Sequence, residues 1–147
     1  MREKDEIIEK TIDFVFQELI ANDTTIVENN ELSLQDKIVK CFQKTPDTYN
    51  LGAIIRHMDD LQRHYPDLWV KVNHYLDSTW DTVISLIELG IKNGELKNVD
   101  TVILKLMLNE SLKKLFDYEF MVKNAVSFDS AIESITNIVL FGLIKTK

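Results

Sequence analysis

Cysteine is nearly missing from this chain: Cys41 is the single one in 147 residues. One thiol cannot staple a fold, so buried apolar surface has to hold it, as suits a reducing compartment. Cys41 itself sits in an apolar helical pattern and reads as a buried, inert side chain. Proline occurs twice and glycine four times, which leaves few breaks and favours long helices over short strands. The glycines are isolated, at Gly52, Gly90, Gly94 and Gly142, so no glycine-rich loop is present to cradle a phosphate. No serine lies in a nucleophile elbow. Excess positive charge is missing as well: 17 basic residues face 24 acidic ones, a net charge of −7. An acidic surface repels phosphate, so this chain alone is expected to bind neither nucleic acid nor an anionic membrane. No apolar run approaches the roughly 20 residues that cross a bilayer. Met1 is followed by Arg-Glu-Lys-Asp-Glu rather than by a signal-peptide core. A soluble cytoplasmic protein, without catalysis and without a cofactor, is the expectation.

What is present is apolar side chain at helical spacing. Hydrophobic residues make up 45% of the chain, and a single domain of this length buries roughly two-thirds of its unfolded surface. The first helix carries Ile7, Ile8, Ile12, Val15, Phe16, Leu19 and Ile20, with Asn22-Asp23-Thr24 as its expected end. Ser33 reads as the N-cap of a second helix bearing Leu34, Ile38, Val39, Cys41 and Phe42, with Asp36 in its first turn. A third helix is expected over 51–64. Pro66 suits the first position of a long fourth helix, where its missing N–H costs nothing. That helix is expected to run to Lys92-Asn93-Gly94, where Asn or Gly can take the left-handed cap. Asn98 and Asp100 start a fifth helix reaching about Asn124, and Ser127 caps a sixth. No strand alternation and no internal repeat appear, so the fold class is all-α.

The last two helices carry more apolar surface than one narrow face can hold. Ile138 opens the unbroken run Ile-Val-Leu-Phe-Gly-Leu-Ile, and the helix before it mixes Val102, Met107, Leu112 and Phe116 with Ile103, Leu104, Leu106, Leu108, Leu115 and Phe120. A helix apolar on more than one side needs cover on more than one side. A second copy of the chain would supply it, two helices from each forming a four-helix interface. Leu115, Phe116, Phe120, Ile135, Ile138, Val139 and Gly142 are the candidate interface residues.

Aromatic and sulfur side chains gather mid-chain at Phe42, Tyr49, Met58, Tyr65, Trp69, Tyr75 and Trp80. Such a set is core first, and can also wall an apolar ligand cavity between helices. Asn73, Thr79, Asn109 and Ser111 are polar residues on otherwise apolar surfaces. Asn109, amid Leu104, Met107, Leu108 and Leu112, needs a partner if buried; its own backbone, the opposite subunit or a ligand could serve. Phe16, Phe42, Met58, Trp69, Asn73, Trp80, Ile84, Asn109 and Leu112 are the candidate ligand-binding residues. His57, His64 and His74 could in principle meet at a metal. But seven residues separate the first two by about 10 Å along a helix, not the one turn a helical ligand pair prefers, and no metal site is expected.

One stretch carries a family likeness. Leu86-Ile87-Glu88-Leu89-Gly90-Ile91-Lys92-Asn93-Gly94-Glu95-Leu96-Lys97-Asn98-Val99-Asp100 resembles the joint between the seventh and eighth helices of TetR-family transcriptional regulators, a G-I-x-x-G-E-hydrophobic pattern followed by an acidic helix start. Tyr65-Pro66-Asp67-Leu68 resembles the start of that family's seventh helix, and Phe141-Gly142-Leu143 its final helix. Arg2-Glu3-Lys4-Asp5-Glu6-Ile7-Ile8 is similar to the opening of its fourth helix. The resemblance implies a six-helix TetR C-terminal-like bundle spanning 1–147 as one domain, with ligand-pocket helices over 1–97 and dimerisation helices over 98–147. It implies a homodimer and a small hydrophobic effector. Operator DNA would be reached only through an N-terminal helix-turn-helix, which this chain is expected to lack. The rival expectation is a helical, dimeric protein–protein module with no small ligand.

Overall fold

The computed structural model describes residues 2–43, 60–115 and 117–145. Among them lie seven helices: α1 (Arg2–Glu28), α2 (Leu34–Phe42), α3 (Pro66–Ser78), α4 (Asp81–Lys92), α5 (Thr101–Leu115), α6 (Tyr118–Lys123) and α7 (Phe128–Leu143). Residues 60–64 are also helical, the last turn of the helix expected over 51–64. The rest of that helix, with His57 and Met58, lies outside the described residues. The fold is all-α, as the composition and spacing required.

Local chemistry sets the boundaries. Ser33 Oγ accepts from Asp36 N at the start of α2, and Ser127 and Ser130 form a capping box at the start of α7. Asp100 Oδ1 accepts from Val102 N and Ile103 N ahead of α5, and Pro66 takes the first position of α3. Each satisfies or dispenses with an amide that a helix start leaves without a partner.

Three boundaries differ from the sequence expectation, and side-chain hydrogen bonds explain each. α1 runs through Asn22-Asp23-Thr24 to Glu28. The Thr24 and Thr25 hydroxyls donate to Ile20 O and Ala21 O one turn back, so these polar residues ride the helix instead of ending it. The single long helix expected from Pro66 breaks at Thr79–Trp80 into α3 and α4. There the Ser78 and Thr79 hydroxyls both donate to Tyr75 O, at 3.0 and 2.8 Å, while Thr79 N turns to Leu76 O. Back-bonding of this kind bends helices, and Trp80 settles near φ −92°, ψ −1°. The expected fifth helix also divides. Asp117 is extended and caps α6 by accepting from Phe120 N, so that, with the helix expected over 51–64 set aside, the other five expected helices become seven.

α4 is the centre. It packs on α2 and α5; α2 also meets α1 and α7, and α3 rests on α1 and α5. The main core joins Phe16, Leu19, Ile38, Phe42, Val72, Leu76 and Trp80 to the inward face of α4, and Leu108, Leu112 and Leu143 close it. A smaller cluster holds Leu115, Met121 and Ile132.

The α4–α5 joint has a clear cause. Gly90 O accepts from both Glu95 N and Leu96 N, and Gly94 takes φ +79°. That folds Leu96 back onto Gly90, where an added Cβ would meet Leu96 Cδ1 at 2.5 Å and Leu34 Cδ2 at 2.9 Å. Only a hydrogen fits between them. Lys97 N then donates to Leu143 O at 2.8 Å, and Leu96 bridges to Ile144, fastening the end of α7 to the joint.

Candidate functional site

α1 and α3 are joined by a polar clamp. Lys71 Nζ lies 2.8 Å from Glu9 Oε1 and 2.9 Å from Asp13 Oδ1, and the Tyr75 hydroxyl donates to Asp13 Oδ1 at 2.8 Å. The hydrogen bond from Lys71, then that from Tyr75, holds the Asp13 carboxyl below its usual 3.8. The bonds to Glu9 and Asp13 push Lys71 up from its usual value. Donation to Asp13 likewise raises Tyr75 above 10.0. With its hydroxyl fixed, the Tyr75 ring stacks on Phe16, centroids 4.7 Å apart and planes within 4°.

Beyond this stack, where α1 faces the break between α3 and α4, lies a cavity of about 40 Å³. Phe16, Leu19, Ile20 and Asp23 line it from α1, and Tyr75, Ser78, Thr79 and Thr82 from the other side. Asp23 is only 5% exposed. The break therefore does two things: it turns Trp80 into the core and brings three hydroxyl-bearing residues to the wall opposite a buried acid.

The sequence-derived ligand residues are gathered, but mostly into packing. Phe16, Phe42, Trp80, Ile84 and Leu112 are buried in one core, with Trp69 partly buried against it. The Phe42 and Trp80 rings tilt at 46°, centroids 5.2 Å apart. Asn73 is half-buried. Of the set, Phe16 lines the cavity. Asn109 Oδ1 and the Nε1 of Trp80, a residue 3% exposed, are buried with no hydrogen-bond partner among the described residues. Lys105, Asn109 and Lys113 follow at four-residue steps, so they share a face of α5. Lys105 pairs with Asp81 and Lys113 with Asp77, which sets that face over the same helix break.

Tyr75 and Thr79 were named from the sequence as possible cavity residues, whereas Asp23, Ser78 and Thr82 were not. A signal did exist for Asp23. Ile12, Phe16, Leu19, Asp23 and Ile26 alternate steps of four and three, so the acid lies on the inward stripe of α1.

Of the interface candidates, Leu115 is turned inward, while Phe120, Ile135 and Val139 are half-buried. Ile138 is 70% exposed, and Gly142 is open. Phe116 lies outside the described residues. Phe141 at 83% and Val102 at 76% exposure, with Ile103, Leu106 and Met107, add to the uncovered apolar surface of α5 and α7. Among the described residues no helix is long and apolar enough to cross a membrane, and His64 and His74 are both exposed.

These features define an all-α domain with an acid-lined cavity at a helix break and uncovered apolar faces on two helices. The chain is similar to a protein described as the uncharacterized HTH-type transcriptional regulator YvaF of Bacillus subtilis (strain 168). The two are 20% identical over 143 residues, covering 95% of this chain and 73% of YvaF. No family profile matches the chain, and no solved structure matches it.

Proposed function

We propose that this chain is the effector-sensing and homodimerising part of a TetR-like transcription regulator. The observation that carries the reading is the likeness to YvaF, which runs along nearly the whole chain. About a quarter of YvaF lies outside the matched region, and we assign DNA reading in such a regulator to a helix-turn-helix of that kind. The uncovered apolar faces of α5 and α7 support a second copy as partner, since exposed apolar patches of this kind mark interaction surfaces.

The mechanism follows from how α1 is held. Its inward stripe forms one wall of the cavity, and the clamp through Lys71 and Tyr75 ties it to α3. A guest between α1 and the break would favour one setting of α1 over another. Only a difference in affinity for the two settings can shift their balance. In a dimer, tilting both copies of α1 changes the separation of two DNA-reading heads, which must lie about one DNA turn apart. Trp80 Nε1 and Asn109 Oδ1, a donor and an acceptor left over in the core, are the polar groups such a guest would meet on entering further.

A melting-temperature screen of chemically diverse small molecules tests the sensing role. A guest that binds the folded state raises the melting temperature in proportion to the logarithm of its concentration. We expect such compounds to be found. A screen in which none stabilises the protein contradicts the sensing role and favours the protein–protein module.

A further inference from the structure

We infer that Trp80 Nε1 and Asn109 Oδ1 are the two polar anchors of one binding site, which takes an uncharged guest whose head group both accepts and donates a hydrogen bond, a hydroxyl or a carboxamide. Two ion pairs bring the anchors to one level of the bundle. Lys113 Nζ lies 2.9 Å from Asp77 Oδ1, and Lys105 Nζ pairs with Asp81 Oδ1. Helix α5 is thereby registered across the α3–α4 break, with Asn109 midway between the two lysines on the same face. Trp80 lies between the two aspartates in the chain. Leu108 and Leu112, each within one turn of Asn109, share the main core with Trp80. Both polar atoms are shut away from solvent and have no hydrogen-bond partner among the described residues.

The two atoms differ in kind, and the difference selects the guest. An indole N–H only donates and calls for an acceptor; an amide oxygen only accepts and calls for a donor. A ketone, an ether or a carboxylate answers Trp80 and leaves Asn109 unpaired. An ammonium group answers Asn109 and leaves Trp80 unpaired. A charged guest also loses its hydration among Phe42, Leu108 and Leu112, which are buried apolar side chains. A hydroxyl or a carboxamide serves both anchors and carries no charge. Selection of this kind is steep, because the wrong guest leaves a buried polar group without a partner. The bend is the way in. At Thr79 the helix ladder is interrupted, its N–H turning to Leu76 O. Thr79 and Thr82, on either side of Trp80 in the chain, already line the cavity of about 40 Å³. That a guest held here acts as an effector rests on the sensing role proposed above; that the two anchors bind such a guest does not.

The test follows the indole N–H of Trp80 by NMR at neutral pH. The chain has two tryptophans, so Trp69→Phe identifies the Trp80 signal. Propionamide and propan-1-ol are titrated in turn. Butanone, propionate and propylammonium serve as guests of similar size that only accept or only donate, with sodium chloride matching ionic strength. Guests this small bind weakly, so each titration is carried to high concentration. We expect the Trp80 indole proton to move downfield, saturably, with propionamide or propan-1-ol, the tighter of the two naming the head group. That guest should bind about tenfold more tightly than butanone, or better, and the two charged guests should leave the signal in place. Asn109→Leu removes one anchor and keeps an apolar side chain, so it should bring butanone level with the preferred guest. If Asn109→Leu does not fold, the series on the parent protein decides. Absence of a saturable shift, equal binding of butanone to the parent, a saturable response to either charged guest, or an undiminished preference in folded Asn109→Leu overturns the inference. Were the whole series inert while other compounds raise the melting temperature, the anchor pair would fall and the sensing role would stand.

Discussion

Single residues fix this fold where no substitute fits. Gly90 is the clearest, because Leu96 Cδ1 and Leu34 Cδ2 occupy the space a Cβ would need. Replacing a helical glycine by alanine gains up to about 1 kcal/mol of propensity. Overpacking a tight contact typically costs about 1–3 kcal/mol, and Leu96 is itself buried, so it cannot swing away into solvent. Gly90→Ala should therefore be destabilised by up to about 2 kcal/mol, read as a lower urea midpoint with an unchanged slope. A midpoint equal to or above the parent's would mean that the joint is looser than its contacts indicate. The residue pattern around Gly90 was legible as a family likeness; the reason for it, a leucine folded back on a helix, was not. Asp23 teaches the converse lesson. Its place on the apolar stripe of α1 could be read from spacing, yet an acid beside Asn22 and Thr24 looks like a helix end until the threonine back-bonds are seen.

Helices α1 and α3 meet through charges and a stacked ring pair, and that joint depends on pH at both ends of the scale. The Asp13 carboxyl is held below 3.8, so its contribution is complete above about pH 4 and is lost as pH falls through the folded-state value. Lys71 and Tyr75 are both raised, so their contributions are complete below about pH 10 and fade as pH climbs past it. All three groups remain partly exposed, so solvent screens the effect. We expect Asp13→Asn to lower the melting temperature near neutrality, and the gap from the parent to narrow as pH falls below about 4. A gap that stays constant down to pH 2 would mean that Asp13 is not the titrating partner. Most elements were legible in the sequence, since caps at Ser33, Pro66, Asp100 and Ser127 and the stop at Gly94 are written in local residue types. The break at Thr79–Trp80 was not, because the stripe from Leu68 to Ile91 passes through it without losing phase. What bends the chain is two hydroxyls competing for Tyr75 O, a competition that spacing alone does not reveal. The cavity depends on that bend, so the candidate site was hidden for the same reason.

At the scale of the whole molecule, the surplus of apolar surface on the closing helices was legible from the sequence and is found on the outside of the single chain. α7 buries Ile132, Thr136 and Leu143 on one side while Ile138 and Phe141 face outward. α5 buries Leu108, Leu112 and Leu115 while Val102, Ile103, Leu106 and Met107 face outward. Which residues turn in and which turn out could not be read, because both sides carry the same side-chain types. Under the proposed regulatory function a second copy would cover those outward faces, and the symmetry of such a dimer would set the spacing of its DNA-reading heads. Sedimentation equilibrium at micromolar concentration tests this most directly. The account predicts a species of twice the 17.1 kDa chain mass, converted to single chains by Ile138→Asp together with Phe141→Asp while the helical circular-dichroism signal is kept. A parent protein that sediments as a stable single chain would contradict it.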